Sequence, residues 1–291
     1  MASDTETQND TQVEQMVDSL VEWMSKQPHL PHIEDRKMLK KFLINCKYRM
    51  QKTKRKLDNY YSARTALPSV YQNRDPTADS IRAVAKNTPF FPLPGLTKNG
   101  DKVFIVRFIS PDPADFMPSP YVKRMFMALD LMTCEEDGRM DYVVIVDFRG
   151  FSFQHFLKLT TIAKLFMDIV ENVNPALFRG AHYIHAPVFV DKVISLFKML
   201  VKPKLRDRFY VHSSLQALYD VLGREFLPSD LGGEELTIAE LSDLHQKKLE
   251  LHKSWFEKEE DIRSNEDLRP AAMQDSWLMG TEGSFKKLSV D

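Results

Sequence analysis

Cysteine is scarce in this chain of 291 residues, which contains only Cys46 and Cys134. Two cysteines are too few for the disulfide framework of a small secreted domain or for a cysteine-based metal cluster. The N-terminal sequence MASDTETQNDTQ also lacks the positively charged and apolar regions of a signal peptide. These absences predict a cytoplasmic protein without a metal site.

Long apolar runs are absent as well. The longest, 188–201, is interrupted by Asp191, Lys192 and Lys198. A membrane-spanning helix needs roughly 20 apolar residues. We therefore expect only peripheral contact with membranes.

The motifs of common catalytic sites are missing. The sequence contains no Gly-x-Gly-x-x-Gly or Gly-x-x-x-x-Gly-Lys-Ser/Thr loop, and no Gly-x-Ser-x-Gly, Cys-x-x-Cys or His-Glu-x-x-His motif. A nucleotide-dependent α/β enzyme or a hydrolase would normally show one of them. We expect a protein that is not an enzyme and carries no cofactor.

A few polar residues nevertheless lie where catalytic groups often project. Asp147 ends an apolar segment in the turn Val-Asp-Phe-Arg-Gly, where a helix cap or a strand-end hydrogen bond is the favoured interpretation. An enzyme using Asp147 with His155 or His182 remains an alternative. His182 and His185, three apart on a predicted strand, point to opposite faces, which favours buried, hydrogen-bonded histidines over ligands of one metal.

Charge is balanced overall, with 40 Lys and Arg against 41 Asp and Glu, so nothing global indicates a nucleic-acid partner. The distribution is uneven, because segment 36–64 has eleven basic residues and one acidic residue, Asp58. A solvated helical face, partly paired with the acidic segment 234–267, is the favoured interpretation. A membrane-facing surface is the other.

Hydrophobic periodicity divides the chain into five segments. Apolar residues at helical spacing predict helices at 13–26, 35–48 and 52–66, and a Pro- and Gly-rich stretch follows. The predicted organisation is a disordered segment 1–9, a helical bundle 10–86, a linker 87–101, a main domain 102–235, and a C-terminal helix (236–256) with a loosely ordered tail up to 291.

The main domain alternates between two kinds of pattern. Strands are predicted at 102–108, 142–148, 181–185 and 209–212, and helices between them at 120–134, 154–173 and 188–201. Such alternation predicts an α/β fold with a mostly parallel sheet. The helix 188–201 has more apolar side chains than one packing stripe requires. It either packs fully on the sheet or covers an apolar pocket, and the pattern alone does not decide between the two.

Three motifs in this order are similar to one family. The sequences VVIVDFRGFSF, VNPALFRGAHYIHAPVFVDKVISLF and LPSDLGG resemble the CRAL-TRIO lipid-binding family, and within it the alpha-tocopherol-transfer-protein-like branch of the insect type. KKFLINCKYRMQKTKRKLDNYYSAR resembles the helical domain that precedes this fold. The resemblance covers roughly residues 13–260.

This resemblance implies a non-enzymatic carrier in which a sheet forms the floor of a hydrophobic pocket and segment 188–201 is a mobile gate helix. The implied ligand is one hydrophobic molecule: a tocopherol, retinoid, carotenoid, terpenoid-like molecule or phospholipid. The candidate pocket residues are Tyr142, Val144, Val146, Leu159, Ile162, Phe166, Ile169, Val170, Ala181, Tyr183, Phe189, Val190, Val193, Leu196, Phe197 and Leu200.

The resemblance also implies contact with membranes, with phosphoinositides as candidate lipids. Arg179, Lys204, Arg206 and Arg208 are the candidate residues, because the family places basic residues near the gate. Leu177 stands where tocopherol carriers have a lysine. A lipid-sensing regulatory module is the alternative function. The oligomeric state is open, with a monomer favoured.

Overall fold

The computed structural model describes residues 2–33 and 35–270, and for residues 2–10 and Lys204 it describes only the backbone. The expected loose tail therefore falls mostly outside the described residues. Within them, an N-terminal group of helices precedes an α/β sandwich, as the sequence predicts.

The N-terminal helices are α1 (Ala2–Ser25), α2 (Arg36–Asn45), α3 (Met50–Ala66), α4 (Pro68–Tyr71) and α5 (Asp79–Asn87). The side chain of Asp35 caps α2 by accepting a hydrogen bond from the backbone N–H of Met38. Helix α1 begins at Ala2, so the expectation of a disordered segment 1–9 does not match the described backbone. Residues 2–9 are polar but contain no Gly or Pro that would break a helix.

The sheet has five strands in the order β1-β2-β3-β4-β5. Their bounds are Phe90–Leu96, Lys102–Arg107, Asp141–Asp147, Leu177–Ile184 and Phe209–Val211. Strand β1 is antiparallel to β2, and the other neighbours are parallel. The expected linker 87–101 was thus wrong in part, since it holds β1; Pro92 and Pro94 fit there because an edge strand tolerates residues without an N–H group.

Six further helices surround the sheet: α6 (Pro118–Glu135), α7 (Phe153–Asn172), α8 (Val190–Leu200), α9 (Leu215–Leu222), α10 (Ile238–Leu251) and α11 (Lys253–Glu259). The sequence analysis missed α9, whose eight residues are too few for a clear periodic pattern. The single helix expected at 236–256 is two helices that meet at His252.

Both faces of the sheet are buried. Val144, Ala181 and Tyr183 belong to a large core shared with α6, α7, α8 and the N-terminal helices. Val143, Ile145 and Ile184 belong to a second core with α9, α10 and the turn 227–233. The Leu-Pro-Ser-Asp-Leu-Gly-Gly sequence therefore closes the face opposite to α8.

A buried ion-pair cluster joins the N-terminal helices to α6. One carboxylate oxygen of Asp130 accepts hydrogen bonds from Arg64 and from Arg74, both at 2.8 Å. All three side chains are almost completely buried. Buried charges of this kind are tolerated only when paired, so the cluster fixes how the bundle docks on the α/β domain.

Candidate functional site

A cavity of about 90 Å³ lies between the first face of the sheet and helices α6, α7 and α8. Its wall contains no charged side chain among the described residues. The lining residues are Val106, Phe108, Tyr121, Val122, Met125, Val144, Val146, Phe148, Leu159, Ile162, Ala163, Phe166, Met167, Phe178, Ala181, Tyr183, Val193, Phe197 and Phe209.

The only polar atoms on lining side chains are two phenol hydroxyls. Tyr121 comes from α6 and Tyr183 from β4, and both residues are buried. Burial raises the pKa of each phenol above its ordinary value. Both hydroxyls therefore stay protonated at neutral pH. Otherwise the cavity offers apolar surface alone.

Helix α8 covers the cavity and presents two side chains to it. Val193 and Phe197 are one helical turn apart and both line the wall. On the outside, Val188 just before the helix is fully exposed and Met199 is 72% exposed. In the described part of the chain, no side chain of α8 forms a hydrogen bond or ion pair with another element. Its only described charged contact is Lys192 over the ring of Phe153, 5.4 Å from the centroid.

The segments on either side of α8 are held by polar contacts instead. Before the helix, His185 Nδ1 lies 2.9 Å from Asp147 Oδ1. After it, the backbone N–H of Lys202 donates to the Glu171 carboxylate at 2.8 Å, and Lys202 Nζ contacts the same carboxylate at 2.9 Å. Among the described residues, helix α8 therefore covers the cavity without polar contacts of its own, and the polar contacts at Asp147 and Glu171 hold the segments before and after it.

A second, basic cleft of about 400 Å³ lies beside the cavity, between α3, the end of α7, β4 and the 3-10 helix Pro203–Arg208. Phe178 lines both spaces. The only acidic residue in the cleft lining is Glu171 among the described residues. The basic residues lining it are Lys47, Arg49, Lys52, Arg55, Lys56, Arg179, Lys202 and Arg208.

Two family models match the chain. A Pinta-like UBA domain model covers residues 9–81, and a CRAL/TRIO domain model covers residues 86–233, about half of the chain. The chain belongs to the CRAL/TRIO family. This confirms the resemblance read from the three sequence motifs, and the fold class with it.

Two curated proteins are similar to this chain in sequence. The human "Alpha-tocopherol transfer protein-like" is 27% identical over 216 residues, which cover 71% of this chain and 60% of the relative. Rat "Clavesin-1" is 27% identical over 148 residues, or 48% of this chain and 42% of the relative. The chain thus matches less than two thirds of the length of each relative. The crystal structure of Sfh5 superposes with a TM-score of 0.49 and 16% identity, covering 82% of this chain and 97% of that one.

Of the predicted pocket residues of this CRAL/TRIO domain, nine lie on the cavity wall: Val144, Val146, Leu159, Ile162, Phe166, Ala181, Tyr183, Val193 and Phe197. The other seven lie elsewhere in the core or around the cover: Tyr142, Ile169, Val170, Phe189, Val190, Leu196 and Leu200. Tyr142 shares the inward face but packs between Phe104 and Phe178. Of the predicted residues in and beside α8, only Val193 and Phe197 line the cavity.

Ten wall residues were missed, of which α6 supplies three and β2 one. Val106 is paired with Val146 in the neighbouring strand and shares its face, so strand alternation could have identified it. Tyr121, Val122 and Met125 lie on the apolar stripe of α6. Phe178 and Phe209 carried no signal, because sequence spacing does not show that β5 pairs with β4.

Asp147 has the structural role that the sequence analysis favoured. It is completely buried and accepts hydrogen bonds from the backbone and guanidinium of Arg149. Its histidine contact is His185, whereas His155 bonds Ser152 and His182 bonds His212. The catalytic pairing of Asp147 with His155 or His182 is therefore not formed. His182 is buried as expected, but His185 is exposed and has a left-handed backbone with φ of 50°.

The predicted basic residues divide between the cleft and the surface. Arg179 and Arg208 line the cleft, and Arg179 also pairs with the buried Asp141. Arg206 is exposed and does not line it. Lys204 lies in the same 3-10 helix, and its side chain is outside the described part of the structure.

The basic run 36–64 pairs with different partners than expected. Arg36 and Lys40 contact Glu14 of α1, and Arg64 contacts Asp130 of α6. At these positions the expected pairing with segment 234–267 was wrong, because the bundle folds back on its own acidic helix. Other residues of the run line the basic cleft.

No helix in the described residues is long and apolar enough to cross a membrane. The same residues contain no group of three or more His, Cys, Asp or Glu placed to hold a metal ion.

Proposed function

We propose that this CRAL/TRIO protein is a non-enzymatic carrier that encloses one hydrophobic ligand and transfers it to membranes. The observation that carries the proposal is the uncharged cavity under α8. Removing apolar surface from water stabilises by about 25 cal/mol per Å², so a ligand that water rejects gains free energy by entering such a space. Tocopherols, retinoids, carotenoids, other terpenoid-like molecules and lipids are the candidate ligands.

Helix α8 is the gate in this proposal. The cavity of about 90 Å³ is smaller than the roughly 300–1,000 Å³ of typical ligand pockets. A ligand of ordinary lipid size therefore requires α8 to move outward. The absence of polar contacts on α8 within the described residues favours this motion, and the anchors at Asp147 and Glu171 keep the flanking segments in place.

Membrane contact would release the ligand by solvating the outer face of the gate. Val188 and Met199 are exposed there, and Phe153 and Leu157 at the start of α7 are also exposed. An apolar patch of this kind is typical of membrane contact sites. The basic cleft would dock on anionic headgroups at about 1 kcal/mol per basic residue near the surface, with phosphoinositides as the candidate lipids.

The test uses retinol, whose own fluorescence reports its location. The full chain should accelerate movement of retinol from donor to acceptor vesicles in proportion to protein concentration. A lipid-sensing module would bind retinol without accelerating exchange, and that result would refute the carrier. A protein that neither binds retinol nor co-purifies with a lipid, as judged by native mass spectrometry, would contradict both functions.

A further inference from the structure

We propose that Tyr121 and Tyr183 select a neutral ligand that carries one hydrogen-bonding group, such as an alcohol or a carbonyl, on an apolar skeleton. The inference rests on the carrier function and specifies the ligand class. It excludes ligands whose charged group must enter the cavity, and it disfavours pure hydrocarbons.

The first observation is that both hydroxyls have no partner in the protein. Tyr121 is 5% exposed and Tyr183 is 3% exposed. Among the described residues, nothing donates to or accepts from either phenol oxygen. Unlike the hydroxyl of Tyr142, neither is among the fully enclosed unpaired side-chain atoms, so each keeps surface that a small molecule can reach. A ligand group in the cavity would supply the missing partner.

The second observation is that both rings are held in place. Tyr183 stacks on Phe148 with ring centroids 5.4 Å apart and planes inclined by 20°. Tyr121 packs edge-on against Phe116 at 5.1 Å. One phenol is on the sheet and the other on α6. Rigid hydrogen-bonding groups bind with little loss of conformational freedom.

The third observation is the absence of charge on the described cavity wall. A carboxylate or phosphate would lose its hydration there and find no cation to pair with. The basic residues of the cleft lie in a separate space that shares only Phe178 with the cavity wall. A neutral hydroxyl or carbonyl loses much less hydration, and either phenol can compensate for it.

The experiment compares three molecules with the same branched C20 skeleton: phytane, phytol and phytanic acid. Each is delivered from cyclodextrin at pH 8 to the full chain loaded with retinol, and loss of bound-retinol fluorescence is measured. We expect phytol to displace retinol at about tenfold lower concentration than phytane or phytanic acid. In the double variant Tyr121→Phe/Tyr183→Phe, the affinity for phytane should be unchanged and the advantage of phytol should fall to about twofold.

Tyr142→Phe is the matched control, because its hydroxyl is buried and unpaired but lies outside the cavity wall. It should keep the full preference for phytol. Equal displacement by phytane and phytol, strongest displacement by phytanic acid, or an undiminished preference in the double variant would each overturn the inference while leaving a carrier. Failure of retinol and all three competitors to bind would instead overturn the carrier function on which the inference rests.

Discussion

The ring of Phe197 on α8 stacks on the ring of Phe209 in β5, with centroids 6.3 Å apart and planes inclined by 23°. Both residues line the cavity. Phe209 also stacks on Tyr183 in the neighbouring strand β4. Helix α8 is thus connected to the floor of the cavity by aromatic contact.

Removal of this contact should weaken the closed state. We expect Phe197→Ala to lower the free energy of unfolding by about 1–2 kcal/mol, less than the 3–5 kcal/mol of a fully buried Phe, because Phe197 is only partly buried. Release of retinol into cyclodextrin should become about tenfold faster, since tenfold in rate corresponds to about 1.4 kcal/mol. Met199→Ala, on the exposed side of α8, is the control. Equal release from both variants would argue against a gating role for Phe197.

Charge-reversal variants distinguish vesicle binding by the cleft from attraction by surface charge in general. Arg208 lines the cleft, whereas Arg206 in the same 3-10 helix is exposed outside it. Arg208→Glu should weaken binding to vesicles containing phosphatidylinositol 4,5-bisphosphate by about tenfold or more, because reversal removes one attraction of about 1 kcal/mol and adds a repulsion. Arg206→Glu should change binding by less than about threefold. Similar losses for both, measured by vesicle sedimentation at 0.15 M salt, would indicate nonspecific attraction.

Stability should fall on the acid side of neutrality. Burial lowers the pKa of His182 from 6.5 to about 4, and the titratable His212, whose Nε2 lies 2.9 Å from His182 Nδ1, lowers it further. The unfolded chain binds the proton near pH 6.5 and the folded chain near pH 4, so unfolding is favoured as pH falls through this window. Between pH 7.5 and 5, protonation of His182 alone should lower the free energy of unfolding by about 2 kcal/mol.

Urea unfolding at both pH values checks this expectation. The depressed pKa values of His29, His155, His212 and His245 act in the same direction. A His182→Gln variant should therefore keep part of the pH dependence and lose the share due to His182. If the free energy of unfolding of the variant falls between pH 7.5 and 5 as much as that of the natural protein, His182 titrates normally.

The architecture was largely predictable, because it depends on local periodicity. Segments 102–108 and 142–148 are almost continuously apolar, and they form strands β2 and β3, which are buried on both faces. The helix expected at 35–48 corresponds to α2, which begins at Arg36. Strand β1 was not recognised, because its two prolines resemble a linker until the edge position is known.

The site was less predictable, because it depends on which side chains meet in space. Val144 and Tyr183 followed from strand alternation, whereas Leu196 and Phe197 are adjacent and only Phe197 lines the cavity. In the sequence, the basic residues of the cleft appear only as two separate clusters. Arg55 and Arg208 are far apart along the chain, and folding of α3 against the α/β domain brings them to one cleft.

The most direct test of the account is a variant whose side chain fills the cavity. Ala163 on α7 lines it and is almost completely buried, so Ala163→Phe places a ring in a space of about 90 Å³. The measurement is an equilibrium titration of retinol fluorescence, with circular dichroism and urea unfolding to show that the fold persists, because overpacking costs about 1–3 kcal/mol. We predict one retinol per natural chain and at least tenfold weaker binding to the variant. Undiminished binding by a folded Ala163→Phe protein would contradict the claim that the ligand lies under α8.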